Sequence, residues 1–224
     1  MRTEPAPAAA DRMPRLAALA AAIEGGDGET LRAAAAEVLA NDGATVVREV
    51  LRQMSLFSGF PRTLRALGEI AAVLPPAGNE PAEAEAPAAS LVAADLERGR
   101  TFFASLYGRD AQAVLPHLES LDPLLAEWIL GHAYGRVLAR PGLPVPERER
   151  LAVLALAASG CWQQWESHAR IALRLGVPRE RLAADLRAGS WLDAAARTRA
   201  AALLAELPTD LAEGRPADPR ERAR

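Results

Sequence analysis

The stretch PERERLAVLALAASGCWQQWESHARIALRLGV, residues 146–177, predicts two consecutive helices joined by a very short turn. Pro146 suits the first position of a helix, and two glutamates follow in its first turn, where the helix dipole favours carboxylates. A run of small apolar residues continues this helix, and Gly160 ends it. The next helix then begins near Cys161. We therefore expect that these two helices can form an antiparallel pair.

The composition of the whole chain extends this prediction. Among 224 residues there are 51 Ala and four Ile, only 4% are aromatic, and all 26 basic residues are Arg. Such a chain has strong helix propensity and little material for strands. Neither GxGxxG nor GxxxxGK[ST] occurs, which argues against a Rossmann or P-loop enzyme. With a net charge of −3 and a pI near 5.7, no basic nucleic-acid surface is expected. We predict an all-α protein that does not bind nucleic acid.

Features that would place the chain in a membrane or an oxidising compartment are missing from the sequence. The first 15 residues contain no apolar core of a signal peptide. The longest apolar stretch, residues 151–158, is far shorter than the roughly 20 residues that span a bilayer. Cys161 is the single cysteine, so no intrachain disulfide is possible. We expect a cytoplasmic protein without a membrane partner.

Changes in composition along the chain predict its organisation. Residues 76–89 are dominated by Pro, Ala and Glu and are predicted to be a linker. Residues 1–75 precede it as an N-terminal helical part, residues 90–207 form the main domain, and residues 208–224 are predicted to be a disordered tail. The predicted helices cover residues 14–24, 29–40, 45–57, 61–74, 90–107, 111–119, 124–139, 146–159, 161–175, 179–188 and 191–207.

One helix face collects the side chains with chemical potential. Cys161, Gln164, Trp165 and His168 are spaced i, i+3, i+4 and i+7, so they share a face, and Glu149 on the preceding helix can lie opposite. A thiol at a helix N-terminus is a better nucleophile. A nearby His can act as its base, and a carboxylate can orient that His. The same pattern also fits a small buried thiol and a structural His, and both interpretations remain open.

Residues 134–182 carry motifs that resemble the carboxymuconolactone decarboxylase family and its alkylhydroperoxidase D-like relatives. The resemblance implies an alkylhydroperoxidase D-like helical bundle that assembles as a trimer or hexamer. The matching positions are Tyr134, Gly135 and Val137, then Arg140–Leu143, Arg148, Glu149, Leu151, Gly160 and His168, and finally Ala172, Leu173, Gly176 and Val177.

A second match to this family lies out of order. The segment EVLRQMSLFSGFPRTLRAL, residues 49–67, resembles the segment that closes the family's fold, with E-V-L-x-Q leading to G-x-P. In the family this segment follows the helix that ends in Gly-Val. We therefore interpret residues 1–75 as a permuted or degenerate second repeat, here an N-terminal half-repeat.

The resemblance implies two kinds of chemistry. The alkylhydroperoxidase D-like enzymes have a C-x-x-C pair before the His, and here Cys161 occupies the first position but Gln164 the second. We therefore expect a peroxiredoxin-like, thiol-dependent peroxidase with Cys161 as nucleophile, His168 as base and Glu149 as orienting carboxylate. An external thiol would serve as reductant, because the chain has no resolving cysteine.

The alternatives are a lactone decarboxylase and a non-catalytic oligomeric relative. In the decarboxylase, His168 would act as general acid and base, and Arg148 or Arg140 would hold a substrate carboxylate. Around a small-molecule substrate, the predicted binding residues are His132, Arg148, Gln164 and Trp165. No cofactor motif is present, so none is expected, and the three scattered His with one Cys predict no metal site.

Overall fold

The computed structural model describes residues 11–75 and 88–208, and the described residues are all-helical without strands, which confirms the predicted all-α class. Most of the predicted linker and of the predicted tail lies outside the described residues. The elements are α1 (Met13–Gly25), α2 (Gly28–Asp42), α3 (Ala44–Phe57), α4 (Gly59–Ile70), α5 (Ala88–Tyr107), a 3-10 turn (Gly108–Asp110), α6 (Ala111–Leu121), α7 (Pro123–Trp128), a π-helix (Ile129–Leu138), α8 (Val145–Ala158), α9 (Trp162–Arg174), α10 (Arg179–Ala188) and α11 (Ala194–Glu206).

Three elements differ from the sequence prediction by more than two residues or in type, and the first is α4, which ends at Ile70 rather than at residue 74. The predicted helix over residues 124–139 is α7 followed by a π-helix, whose wider turns begin at Ile129. The last helix begins at Ala194 rather than near residue 191, because the side chain of Asp193 caps it by accepting a hydrogen bond from the Ala196 N–H at 2.7 Å. Within the described residues, no helix has both the length and the apolarity needed to cross a bilayer.

One hydrophobic core joins the two parts of the chain on either side of residues 76–87. Leu16 and Leu19 of α1 and Val47 of α3 belong to the same buried cluster as Leu154 of α8 and Ala172 of α9. Residues before the predicted linker therefore pack as an integral layer around the α8–α9 pair. A second buried cluster, rich in aromatic side chains, lies between α5, the π-helix and Ile171 of α9.

The backbones of α5 and the π-helix are in direct contact. A Cβ atom added at Gly135 would lie 1.9 Å from the carbonyl oxygen of Asp95, and one added at Gly99 would lie 1.8 Å from that of Leu130. Next to this crossing, the carboxylate of Asp95 pairs with Arg136 at 2.7 Å. The two glycines therefore set how close the helices approach, and they hold the π-helix against the aromatic cluster.

A buried ion pair fastens α3 to α8. The carboxylate of Glu49, whose side chain is 1% exposed, accepts a hydrogen bond from Arg148 at 2.6 Å and further ones from Arg140 at 2.9 Å and Arg52 at 2.7 Å. Gln53, one turn later on α3, donates to the backbone oxygen of Arg148 at 2.7 Å. Burial alone would raise the pKa of Glu49, but the hydrogen bonds from the three arginines outweigh it and lower that pKa. Glu49 is therefore held as a carboxylate inside the core.

Removing this carboxylate should strongly destabilise the protein. Glu49→Ala removes the carboxylate that pairs with the buried Arg148, which is also 1% exposed, and we expect a loss of about 3–5 kcal/mol in the free energy of unfolding, as for other buried ion pairs that lose one member. The matched control is Glu69→Ala, which breaks the exposed pair with Arg32 and should cost no more than about 1 kcal/mol. Urea denaturation followed by circular dichroism measures both. Equal losses for the two variants would contradict a stabilising role for the buried pair.

The helix crossing gives a second prediction, tested with two glycines of the same π-helix. Gly135→Ala places a methyl group 1.9 Å from a backbone oxygen, so we expect destabilisation at or above the top of the ~1–3 kcal/mol range of overpacked cores. Gly131→Ala meets no atom closer than 3.8 Å and should be neutral or stabilising, since Ala favours helix. Thermal unfolding of both variants measures the difference. If Gly135→Ala were as stable as Gly131→Ala, the close contact would not exist.

Candidate functional site

The predicted α8–α9 pair is present, and a tight turn sets its geometry. Gly160 adopts φ +69°, a left-handed conformation that suits glycine. The N–H of Cys161 then donates to the carbonyl oxygen of Leu156 at 3.0 Å, which closes the end of α8. The chain reverses within this turn, so the first turns of α8 lie beside the middle of α9.

This reversal brings Glu149 and His168 together, as the sequence predicts. Oε2 of Glu149 lies 2.7 Å from Nδ1 of His168, and the two side chains are 1% and 11% exposed. Because a carboxylate only accepts hydrogen bonds, Nδ1 carries the proton and donates it to Glu149. Nε2 has no partner among the described residues and is not among their buried unpartnered atoms, so it reaches the surface. The pair thus presents the lone pair of Nε2 outward, as a general base requires.

Two buried tyrosines stand near this carboxylate. The hydroxyl groups of Tyr107 and Tyr134 are 3.1 Å apart, and the ring of Phe103 stacks on Tyr107 and meets Tyr134 edge-on. Burial raises the pKa of both tyrosines, and the negative charge of Glu149 raises each further. Both phenols therefore keep their protons at neutral pH. One of the two hydroxyl groups donates its proton to the oxygen of the other. The second hydroxyl proton remains available for a hydrogen bond to another group.

The tyrosine pair was not predicted from the sequence. Tyr134 belongs to one of the sequence motifs, but the motif gives no role for its hydroxyl group. Tyr107, its partner, is 27 residues away in the sequence. Helical periodicity relates residues within a few turns of one helix, so it gives no signal for a contact between α5 and the π-helix. Only the close crossing at the two glycines brings these hydroxyl groups together.

Cys161 stands apart from the Glu149–His168 pair. Its side chain is exposed, it occupies the N-cap position of α9, and its Sγ lies 3.9 Å from the carbonyl oxygen of Ser159. Seven residues separate it from His168, a rise of about 10 Å along a helix. The hydrogen bonds of the described residues include none between the two side chains. The structure therefore unites two of the three predicted catalytic residues and leaves the thiol at the helix end.

Three predicted substrate-binding residues of this region have other surroundings. Trp165 is fully buried in the hydrophobic core. Gln164, one residue earlier, is exposed to solvent. Arg148 lies inside the core with Glu49 on its guanidinium group, so a substrate carboxylate would have to displace that internal carboxylate. This burial corrects the expectation that Arg148 binds substrate, and Trp165 likewise serves packing.

His132 was expected to face the same pocket, and the structure corrects this as well. Its side chain is exposed on the outer surface of the π-helix, where its ring centroid lies 6.2 Å from that of Phe60. Tyr134, two residues later, points inward to the aromatic cluster. Residues two apart on a helix do not share a face, so the inward position of Tyr134 places His132 on the other side.

An open cleft of about 730 Å³ lies beside the start of α8 and the end of α9. Arg150 in this cleft is held between Asp11 and Asp185 at 2.9 and 2.7 Å, and Arg12 bonds Glu147 at 2.7 Å. The charged side chains named here are therefore already paired with one another inside the cleft. Neither Glu149 nor His168 lines it, so this cleft is separate from the candidate site.

The geometry predicts the tautomer of His168. With Glu149 present, the neutral imidazole should carry its proton on Nδ1, and the nitrogen chemical shifts of the ring in ¹⁵N-labelled protein report this directly. In Glu149→Gln the carboxylate, which can only accept a hydrogen bond from Nδ1, is replaced by an amide, which can also donate one to Nδ1. We therefore expect a mixture of the two His168 tautomers in that variant. The exposed His117 serves as the internal control. An Nε2-protonated His168 in the unaltered protein would contradict the arrangement.

Comparison with known proteins finds one family model that matches the part of the chain around this site. Residues 123–207 match the model of the carboxymuconolactone decarboxylase family. The matched residues include the π-helix, both helices of the central pair and the residues Glu149, Cys161 and His168.

The chain is also similar to Peroxisomal protein 2 of Schizosaccharomyces pombe. The two are 31% identical over 140 residues, which is 61% of this chain and 63% of that protein. The chain thus spans less than two thirds of the length of this relative. Residues 123–207 of this chain are therefore similar to the carboxymuconolactone decarboxylase family, in agreement with the motifs between residues 134 and 182.

Proposed function

We propose that this carboxymuconolactone decarboxylase-like protein is a carboxy-lyase that acts on a small carboxylated lactone by general acid–base catalysis at His168. The observation that carries the proposal is the buried 2.7 Å hydrogen bond between Glu149 and Nδ1 of His168, with Nε2 left accessible. The family match over residues 123–207 supports it.

Each residue of the pair has a distinct task in this proposal. Glu149 fixes the orientation of the His168 ring by accepting the hydrogen bond from Nδ1. In decarboxylation the bond between the carboxylate carbon and its neighbour breaks, carbon dioxide leaves, and the electron pair remains as an enolate. Nε2–H of the His168 imidazolium then protonates that carbon, and solvent restores the proton to His168.

The tyrosine pair provides a proton donor for the enolate oxygen. Tyr107 and Tyr134 retain one donatable hydroxyl proton beyond their mutual hydrogen bond. In a buried site such a donor stabilises developing negative charge more strongly than water does. We infer that this hydroxyl donates a hydrogen bond to the substrate oxygen. Tyr134→Phe should therefore retain the fold but lower the rate of decarboxylation.

Cys161 supports a second candidate, the thiol-dependent peroxidase. Its thiol is accessible and lies at the N-terminus of the helix that carries His168. In that reaction the thiolate attacks one peroxide oxygen, the O–O bond breaks, an alcohol or water leaves, and the sulfur becomes a sulfenic acid. Two molecules of an external thiol would then reduce it, forming their disulfide and water.

Single substitutions separate the two candidates. In a lactone decarboxylation assay we expect His168→Ala to lose about 10²–10⁴-fold in kcat/KM, Glu149→Gln to lose less, and Cys161→Ser to remain near the unaltered protein. The control His117→Ala, at an exposed position, should change nothing. Carbon dioxide release across a panel of carboxylated lactones is the measurement.

The peroxidase candidate is tested on the same variants with an organic hydroperoxide and a sulfenic-acid trap, read by intact mass. Rapid trapping at Cys161 that is lost in His168→Ala, together with no lactone turnover, would overturn the acid–base proposal in favour of the peroxidase. Turnover of neither substrate class would leave the non-catalytic relative as the correct interpretation. Residence in the cytoplasm stays a prediction from the sequence.

A further inference from the structure

Two helices of the described structure expose apolar side chains on the same side of the molecule. On α4, Phe60 and Leu64 are 61% and 66% exposed, and their i, i+4 spacing places them in one stripe. Trp128 at the end of α7 is 59% exposed. We call this surface the α4–α7 face, and its members are Phe60, Leu64, Val92, Leu124, Leu125 and Trp128.

The members of this face form one continuous surface. Phe60 meets the ring of His132, with centroids 6.2 Å apart. His132 in turn lines a shallow cavity of about 160 Å³ together with Trp128, Val92 and Leu96. Leu124 and Leu125 precede Trp128 by four and three residues, which places them next to it on α7. The contacts of His132 therefore link the stripe on α4 to the end of α7 and to α5.

The size of the face approaches that of one side of a standard protein interface. Each of its six residues is at least 50% exposed, and such side chains together present on the order of 600 Å² of surface, more than isolated exposed apolar residues would. A standard interface buries about 800 Å² on each partner. The cavity is comparable to the ~150 Å³ that accommodates a benzene ring, so it can receive an aromatic side chain such as those that protrude from this same face.

The charges at its edge are suited to a second copy of the same surface. Glu127 of α7 makes no ion pair among the described residues, whereas Arg136, nine residues later, pairs with Asp95 and keeps 45% of its side chain exposed for a further partner. Both border the cavity. A two-fold axis through the face turns the stretch from Glu127 to Arg136 antiparallel to its copy, which places Glu127 of each chain opposite Arg136 of the other.

We propose that the α4–α7 face is where copies of this chain associate with one another, with Trp128 at the centre of the contact. The occupant is a second copy because the face carries both an exposed aromatic side chain and a cavity of matching size, and because an acidic and a basic side chain border that cavity. Interfaces of this kind concentrate their binding energy in aromatic residues that fill a pocket on the partner.

Sedimentation velocity across a wide concentration range tests the proposal with the full chain. We expect the unaltered protein to self-associate and Trp128→Glu to raise the dissociation constant by about tenfold or more. Leu64→Glu, on a different helix, should weaken association as well, so the test does not depend on the folding of one variant. Ala201→Glu adds the same charge at an exposed position of α11 and should leave association unchanged.

Circular dichroism confirms that each variant retains its helical structure. A protein that stays monomeric at all concentrations would overturn the proposal. So would a folded Trp128→Glu or Leu64→Glu variant that assembles as tightly as the unaltered chain, because association would then use another surface. Equal weakening by Ala201→Glu would show that added charge alone acts, and would also contradict the role of this face.

Discussion

The buried ion pair between Glu49 and Arg148 is the interaction on which the candidate site depends. Arg148 and Glu149 are adjacent on α8, so their side chains point about 100° apart around the helix axis. With Arg148 bound to α3, Glu149 is directed toward His168 on α9. An arginine that takes no part in the proposed chemistry therefore helps to fix the rotation of α8 about its own axis.

Local parts of the site could be predicted from the sequence because they depend on one helical hairpin. Glu149 and His168 are 19 residues apart, and their meeting follows from two helix periods and one glycine turn. Arg148 was misassigned because an arginine at a helix start looks the same whether it binds a substrate or an internal carboxylate. Its partner lies 99 residues away, beyond the reach of any periodic pattern.

The π-helix shows the same limit for backbone geometry. Residues 129–138 have the apolar spacing of an ordinary helix, and that spacing predicted one. Their wider turns accompany a backbone contact with α5 at Gly99 and Gly135, and π-turns are frequent near functional sites. Tyr134 lies within this segment, so the same crossing also determines where its hydroxyl lies.

The interpretation of residues 49–67 as a permuted closing segment stays a prediction. The contacts that Glu49 and Gln53 make with Arg148 of α8 agree with it.

The shared core has a consequence for synthesis of the protein. The helices of residues 13–70 belong to the same buried cluster as α8 and α9, which lie far along the chain, and Asp11 just before them contacts Arg150, 139 residues away. At about 5–20 residues per second on the ribosome, these helices emerge many seconds before α8 does. During that interval α1 to α4 can pack on one another, but the sides that they turn to α8 remain uncovered. The order of the segments along this chain thus leaves part of its apolar core open to non-native contacts while translation continues.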